Sequence, residues 1–217
     1  MVLRTFSPAR AWRPAVVARL ARTLDSTKYS VAISPTSKPI EGAQLRDATQ
    51  EDALCLSVLA MQVFLDTYAV DGIRPEIARE VLASYSQETF SKAIADSGNH
   101  IVVAELNKHL IGFAQLTLSA NQELAPPGKQ AELLRLYVQE PFTALKVGTQ
   151  LLARAERIAA NTGATVLWLT PWVHNYRAIA FYARRGYADY GLTYFTFEGE
   201  SHENRVLAKS VARTCAV

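Results

Sequence analysis

Residues 132–152 read ELLRLYVQEPFTALKVGTQLL and residues 175–187 read NYRAIAFYARRGY. The first stretch opens as an apolar strand, Leu133 to Val138, and turns at Thr143-Ala144-Leu145-Lys146-Val147-Gly148. It continues as a helix with Val147, Leu151, Ala155, Ile158 and Ala159 on one face, Gln150, Arg154 and Arg157 on the other, and Gly163 placed to end it. Val166-Leu167-Trp168-Leu169 follows, and its continuous apolarity predicts a strand covered on both faces, as in a sheet with parallel members between helices. Asn175 can then cap a helix bearing Ala178, Ile179, Phe181 and Tyr182, which stops near Gly186.

Working outward, Gln44 to Ala48 reads as a short strand, and Thr49 with Asp52 three residues on approximates a capping box. Leu54, Val58, Met61 and Leu65 recur at helical spacing, Pro75 suits a first helical position, and a further helix runs through Phe90 to Ala95. His100 to Leu106 and His109 to Leu118, separated by Asn107-Lys108, predict an antiparallel hairpin, with Gly112 marking a bulge or a close backbone approach. Ser119 to Lys129, containing Pro126-Pro127-Gly128, reads as a flexible loop. Tyr187 to Phe197 and Arg205 to Val211 complete a mixed sheet.

The order of these blocks resembles the acyl-CoA-binding half of the GNAT N-acetyltransferase superfamily, and the resemblance spans roughly residues 44 to 211. It implies an α/β (α+β) chain with the GNAT acyl-CoA N-acyltransferase fold, a mixed central sheet flanked by helices. The expected division is a basic extension and linker over 1–41, the acetyltransferase domain over 42–213 and a tail over 214–217. The resemblance further implies an enzyme that moves an acetyl group from acetyl-CoA to a primary amine of a small molecule or peptide, by direct transfer in a ternary complex. The other reading is a degenerate member of the fold that binds or regulates without catalysis.

A pyrophosphate needs donors, and the start of a helix supplies backbone N–H groups and the positive end of its dipole. By the resemblance, the coenzyme is held by Leu136, Tyr137 and Val138 of the strand, by Thr143, Ala144, Leu145, Lys146, Val147, Gly148 and Thr149 of the bend, and by Asn175. Family bends are often richer in glycine. Here Ala144 and Lys146 carry β-carbons, so any left-handed backbone would cost more.

Tyr182 matches the tyrosine of the family's N-x-x-A-x-x-F-Y pattern. A phenol with an ordinary pKa near ~10 stays protonated at neutral pH and can protonate a departing thiolate. Glu132, six residues before Val138, stands where some members place a general-base glutamate; water chains and His174 are the alternatives. Phe64, Asp66 and Tyr68 fall in the helix-loop-helix that the family uses for acceptor recognition.

Composition narrows the rest. The chain has 217 residues, 49% of them apolar, and no uninterrupted apolar stretch approaches the roughly 18 residues that cross a bilayer, so a soluble protein without membrane partners is expected. Residues 1–40 carry seven Lys and Arg against Asp25 alone, so the net charge of +3 belongs to the leader and gives no reason to expect nucleic-acid binding. Three readings of the leader stand: a loose extension, an Arg-rich organellar transit peptide, and translated sequence upstream of the true start. Cys55 and Cys215 make no disulfide framework, which fits a cytoplasmic location, and Cys55 reads as a small buried hydrophobe. His100, His109, His174 and His202 are dispersed without ligand spacing, so no metal is expected. The exposed edge of a mixed sheet is a physical reason to expect a homodimer, as family members often form.

Overall fold

The computed structural model describes residues 42–197 and 200–211; the leader, Cys215 and the 214–217 tail lie outside the described residues. Among the described residues, strands β1 (Gln44–Asp47), β2 (Asn99–Leu106), β3 (His109–Thr117), β4 (Gln130–Val138), β5 (Val166–Leu169), β6 (Ala188–Phe197) and β7 (Glu200–Ser210) form one sheet. Its order is β1-β2-β3-β4-β5-β7-β6, and β4 beside β5 is the single parallel pair. Helices α1 (Ala53–Tyr68), α2 (Pro75–Ser84) and α3 (Gln87–Ala95) cover one face; α4 (Val147–Asn161) and α5 (Tyr176–Ala183) cover the other.

Alternation along the central strands divides two cores. Val102, Ala104, Ala114 and Leu116 face α4, while Ile101, Val103 and Phe113 face α1 and α3. The α4 stripe is buried along the face its spacing predicts. For α1 the predicted face is corrected. Leu54 and Val58 are 56% and 60% exposed, and the helix instead buries Leu56, Leu59, Ala60, Phe64 and Tyr68. The helix is apolar nearly all round, so periodicity allows more than one stripe, and the two aromatic rings decide which one faces the sheet. The same rotation exposes Cys55, against the expectation of a buried thiol.

Two further boundaries move. Helix α3 starts at Gln87 because the Ser86 hydroxyl accepts from the Thr89 amide at 3.1 Å. Strand β7 starts at Glu200 rather than Arg205, because its inward residues there are His202 and Asn204, both buried, and polar side chains do not register in an apolar pattern. The 119–129 loop is fastened rather than loose: Trp168 Nε1 donates to the Ala120 carbonyl, Gln130 accepts from the Gln122 amide, and Ala125 is buried.

The hairpin turns on Asn107 and Lys108, both with positive φ, as a two-residue hairpin requires. Past it, Ala104 pairs with Gly112 and Glu105 with Leu110, leaving Ile111 as the extra residue of a bulge. Gly112 also lies where a β-carbon would sit 2.7 Å from the Tyr137 carbonyl oxygen and 3.3 Å from Val138 Cα. Gly112→Ala is therefore expected to lower stability by about 1–3 kcal/mol and to push the end of β4 outward. Chemical denaturation measures the first effect, and a weaker coenzyme A isotherm reports the second.

Candidate active site

Strands β4 and β5 pair over three residues, Gln130 with Val166, Ala131 with Leu167 and Glu132 with Trp168, and then part. On its other side β4 stays paired to β3, but Gln115 opposes Arg135 while Leu116 opposes Leu133, so Leu134 is bulged out of register. The parting leaves a chamber of about 90 Å³ walled by β4, by Leu169, Thr170 and Pro171, and by Tyr68, Asn175 and Tyr182. A cleft of about 670 Å³ shares Leu136, Asn175, Ala178 and Tyr182 with it and extends to Val138, Thr143, Gly148 and Phe181.

The head of this cleft is the start of α4. Glu140–Leu145 forms a 3-10 turn, and Lys146 then takes a left-handed conformation at φ 63°. A residue with a β-carbon holds that conformation at a cost of about 1 kcal/mol or more. The first α-helical bond runs from Gln150 N to the Lys146 carbonyl, so the amides of Val147, Gly148 and Thr149 precede it and have no helical acceptor. Gly148 faces Val138 Cγ2 and the Phe181 ring, each 3.7 Å from where a β-carbon would lie, and the missing side chain keeps the cleft open there. The Thr143 hydroxyl donates to the Glu140 carbonyl at 2.9 Å, and the Thr149 hydroxyl accepts from Arg185. Leu145 and Val147 pack into the core, whereas Lys146 is exposed.

Helix α5 supplies the opposite wall. The Asn175 side chain caps it, accepting from the Ala178 amide at 3.1 Å. Arg185 lies 3.5 Å over the Phe181 ring and donates to the Phe181 carbonyl, which with its bond to Thr149 ties α5 to α4. At the mouth, Arg177 and Glu140 form an exposed ion pair at 2.8 Å.

Tyr182 is buried, lines both cavities, and is held edge-on by Phe181 and Tyr187 at centroid distances of 5.1 and 5.5 Å. Burial, then the Tyr137 phenol, push its pKa well above the ordinary phenol range, with Arg185 acting the other way. It is a neutral donor at physiological pH. Glu132 lines the same chamber and is 2% exposed. Tyr137 also lines it, its hydroxyl 3.1 Å from that of Tyr85. His174 is exposed, stacked edge-on against Trp172 and hydrogen-bonded to the Tyr176 hydroxyl, and lines neither cavity.

The three acceptor-side residues separate. Tyr68, the last residue of α1, walls the chamber and also a pocket of about 280 Å³ with Asp71, Gly72 and Arg74. Asp66 lines the large cleft. Phe64 lies in the core against the rings of Tyr68 and Tyr85 at 4.8 and 5.2 Å and lines none of these spaces. Sequence reasoning passes over Arg135, which the structure sets in the chamber wall. The signal is a lone cation inside an otherwise apolar strand.

The chain resembles known proteins in sequence and in fold. The acetyltransferase (GNAT) family model matches residues 67–187. The chain belongs to the GNAT acetyltransferase family. It is 32% identical over 149 residues to the spermidine N(1)-acetyltransferase of Thermoplasma acidophilum, covering 66% of this chain and 87% of that one. It is 27% identical over 139 residues to the aminoalkylphosphonate N-acetyltransferase of Salmonella typhimurium, covering 64% and 89%. The crystal structure of the PaiA N-acetyltransferase of Thermoplasma acidophilum in complex with coenzyme A superimposes with a TM-score of 0.62 at 26% identity, covering 78% of this GNAT chain and 99% of that one. Among the described residues no His, Cys, Asp and Glu group could hold a metal ion, and no helix is long and apolar enough to cross a membrane.

Proposed function

We propose that this GNAT enzyme transfers the acetyl group of acetyl-CoA to the primary amine of a small molecule in a ternary complex. The observation that carries the reading is that Glu132 and Tyr182 wall one chamber of about 90 Å³, which shares Tyr182 and Asn175 with the cleft headed by α4. Two relatives named for acetylating small amines support the acceptor class.

The cleft fits the coenzyme. The amides of Val147, Gly148 and Thr149 receive the pyrophosphate, and the open edge of β4 at Leu136 to Val138 receives the amide-bearing arm. Bound there, acetyl-CoA supplies an activated thioester carbonyl at the chamber. Glu132 takes a proton from the bound ammonium to free the amine, which attacks the thioester carbonyl as the C–N bond forms and afterwards gives its second proton back to Tyr182. As the C–S bond breaks, the electron pair goes to sulfur and the Tyr182 phenol gives sulfur its proton. The buried walls exclude water, which protects the thioester from hydrolysis.

The test is thiol release from acetyl-CoA across a panel of amines and short peptides, with N-acetylated product identified by mass spectrometry and coenzyme binding followed by calorimetry. Amine-dependent thiol release matched by acetylated product is expected. Coenzyme binding with no release for any acceptor would favour the degenerate binding module, and stimulation by peptides alone would move the acceptor class to protein termini.

A further inference from the structure

Arg135 is 6% exposed, and its one hydrogen-bonded partner among the described residues is the uncharged Gln115 side chain, whose Oε1 accepts from Nη1 at 2.5 Å. The rings of Tyr85 and Phe90 lie 5.0 and 5.8 Å from the guanidinium carbon. No described carboxylate stands within ion-pair distance of it. Arg46, Arg154, Arg177 and Arg205 all pair with carboxylates, although each is more exposed. The buried carboxylate of the neighbouring helix, Glu80, accepts from the Ser84 hydroxyl at 2.6 Å.

A buried cation without a counter-charge carries a large desolvation cost. Two ring contacts and one amide hydrogen bond offset part of that cost. These local contacts leave little surplus, and a packing role alone would be filled by an apolar side chain at less expense. Arg135 also lines the chamber that holds Glu132, three residues earlier on β4. The bulge at Leu134 shifts the alternation between them, so the Glu132 and Arg135 side chains leave β4 on the same face of the sheet. The chamber is about three water volumes in size, which suits a compact molecule.

We propose that the acceptor is a short amine that carries its own anionic group, a carboxylate or a phosphonate, and that Arg135 binds this anion while Glu132 faces the amine. The proposal rests on the acetyl-transfer reading and narrows its acceptor to a zwitterion. A charge-assisted, fork-shaped contact from guanidinium to oxyanion gives both affinity and orientation. It also works against polyamines, whose second cation would meet Arg135 instead.

The experiment compares kcat/KM of the wild-type enzyme for matched acceptors: β-alanine and 2-aminoethylphosphonate against n-propylamine and spermidine. An advantage of about tenfold to a hundredfold for an anion-bearing acceptor over n-propylamine is expected, and the better of the two names the anion. In Arg135→Gln that ratio should fall toward one, and Arg135→Lys should keep part of it; coenzyme A must still raise the melting temperature of both variants. Equal or better use of n-propylamine or spermidine by the wild type overturns the anion site and leaves acetyl transfer standing, a result that needs no variant to fold. Absence of thiol release with every amine removes the acetyl-transfer reading and the anion site together.

Discussion

Tyr182→Phe is expected to lower kcat by about a hundredfold to ten-thousandfold, the usual range for removing a positioned proton donor. Phenylalanine keeps the ring and its edge-on contacts with Phe181 and Tyr187, so the fold loses one hydroxyl and stability should change by no more than about 1 kcal/mol. Coenzyme A affinity measured by calorimetry should stay within a few-fold of the parent, since the cradle at α4 is untouched. The pH profile carries a second check. Burial raises the Tyr182 pKa, so the phenol is protonated at every pH below the ordinary phenol value of about 10. Tyr182 therefore contributes no alkaline limb to the wild-type profile between pH 6 and about 10. An undiminished kcat in the variant would show that sulfur is protonated by another group, for which the phenols of Tyr68 and Tyr137 in the same chamber are the candidates.

Most of the scaffold is legible in the chain because its periodicities are clean. Apolar β-rich runs on either side of Asn107-Lys108 mark β2 and β3, a continuous apolar run marks β5, and the 3.6 period of α4 predicts its buried stripe. Local chemistry places Asn175 as a cap and Gly163 and Gly186 at helix ends, both with positive φ. Legibility fails where a pattern has more than one solution or where polar groups stand in apolar places. Helix α1 offers several apolar stripes and shows the wrong one to a periodicity argument. His202 and Asn204 hide the start of β7. The chamber itself is not a sequence property, since it arises because β4 and β5 stop pairing after Glu132 and Trp168, residues far apart in the chain. Glu132 and Tyr182 are nameable through family resemblance, but that they wall the same space, with Arg135 beside them, follows only from tertiary packing.

Glu132→Gln tests the other half of the chemistry, and its expected effect is a fall in kcat/KM of about a hundredfold to ten-thousandfold at neutral pH. Glutamine fills the same volume in a position that is 2% exposed, so the packing around it is retained while the proton acceptor is lost. An acceptor amine with an ordinary pKa is almost wholly protonated at neutral pH and cannot attack in that form. With Glu132 gone, the free amine must come from solution, where its fraction rises about tenfold per pH unit below the amine pKa. The variant's rate should accordingly climb with unit slope on a logarithmic plot up to that pKa, whereas the wild-type rate should level off earlier. The deficit then narrows as pH rises, a signature that loss of structure or of coenzyme binding would not produce. A deficit that stays constant with pH would mean that Glu132 orients the acceptor without taking its proton, and the base would then be sought in water held within the parted strands.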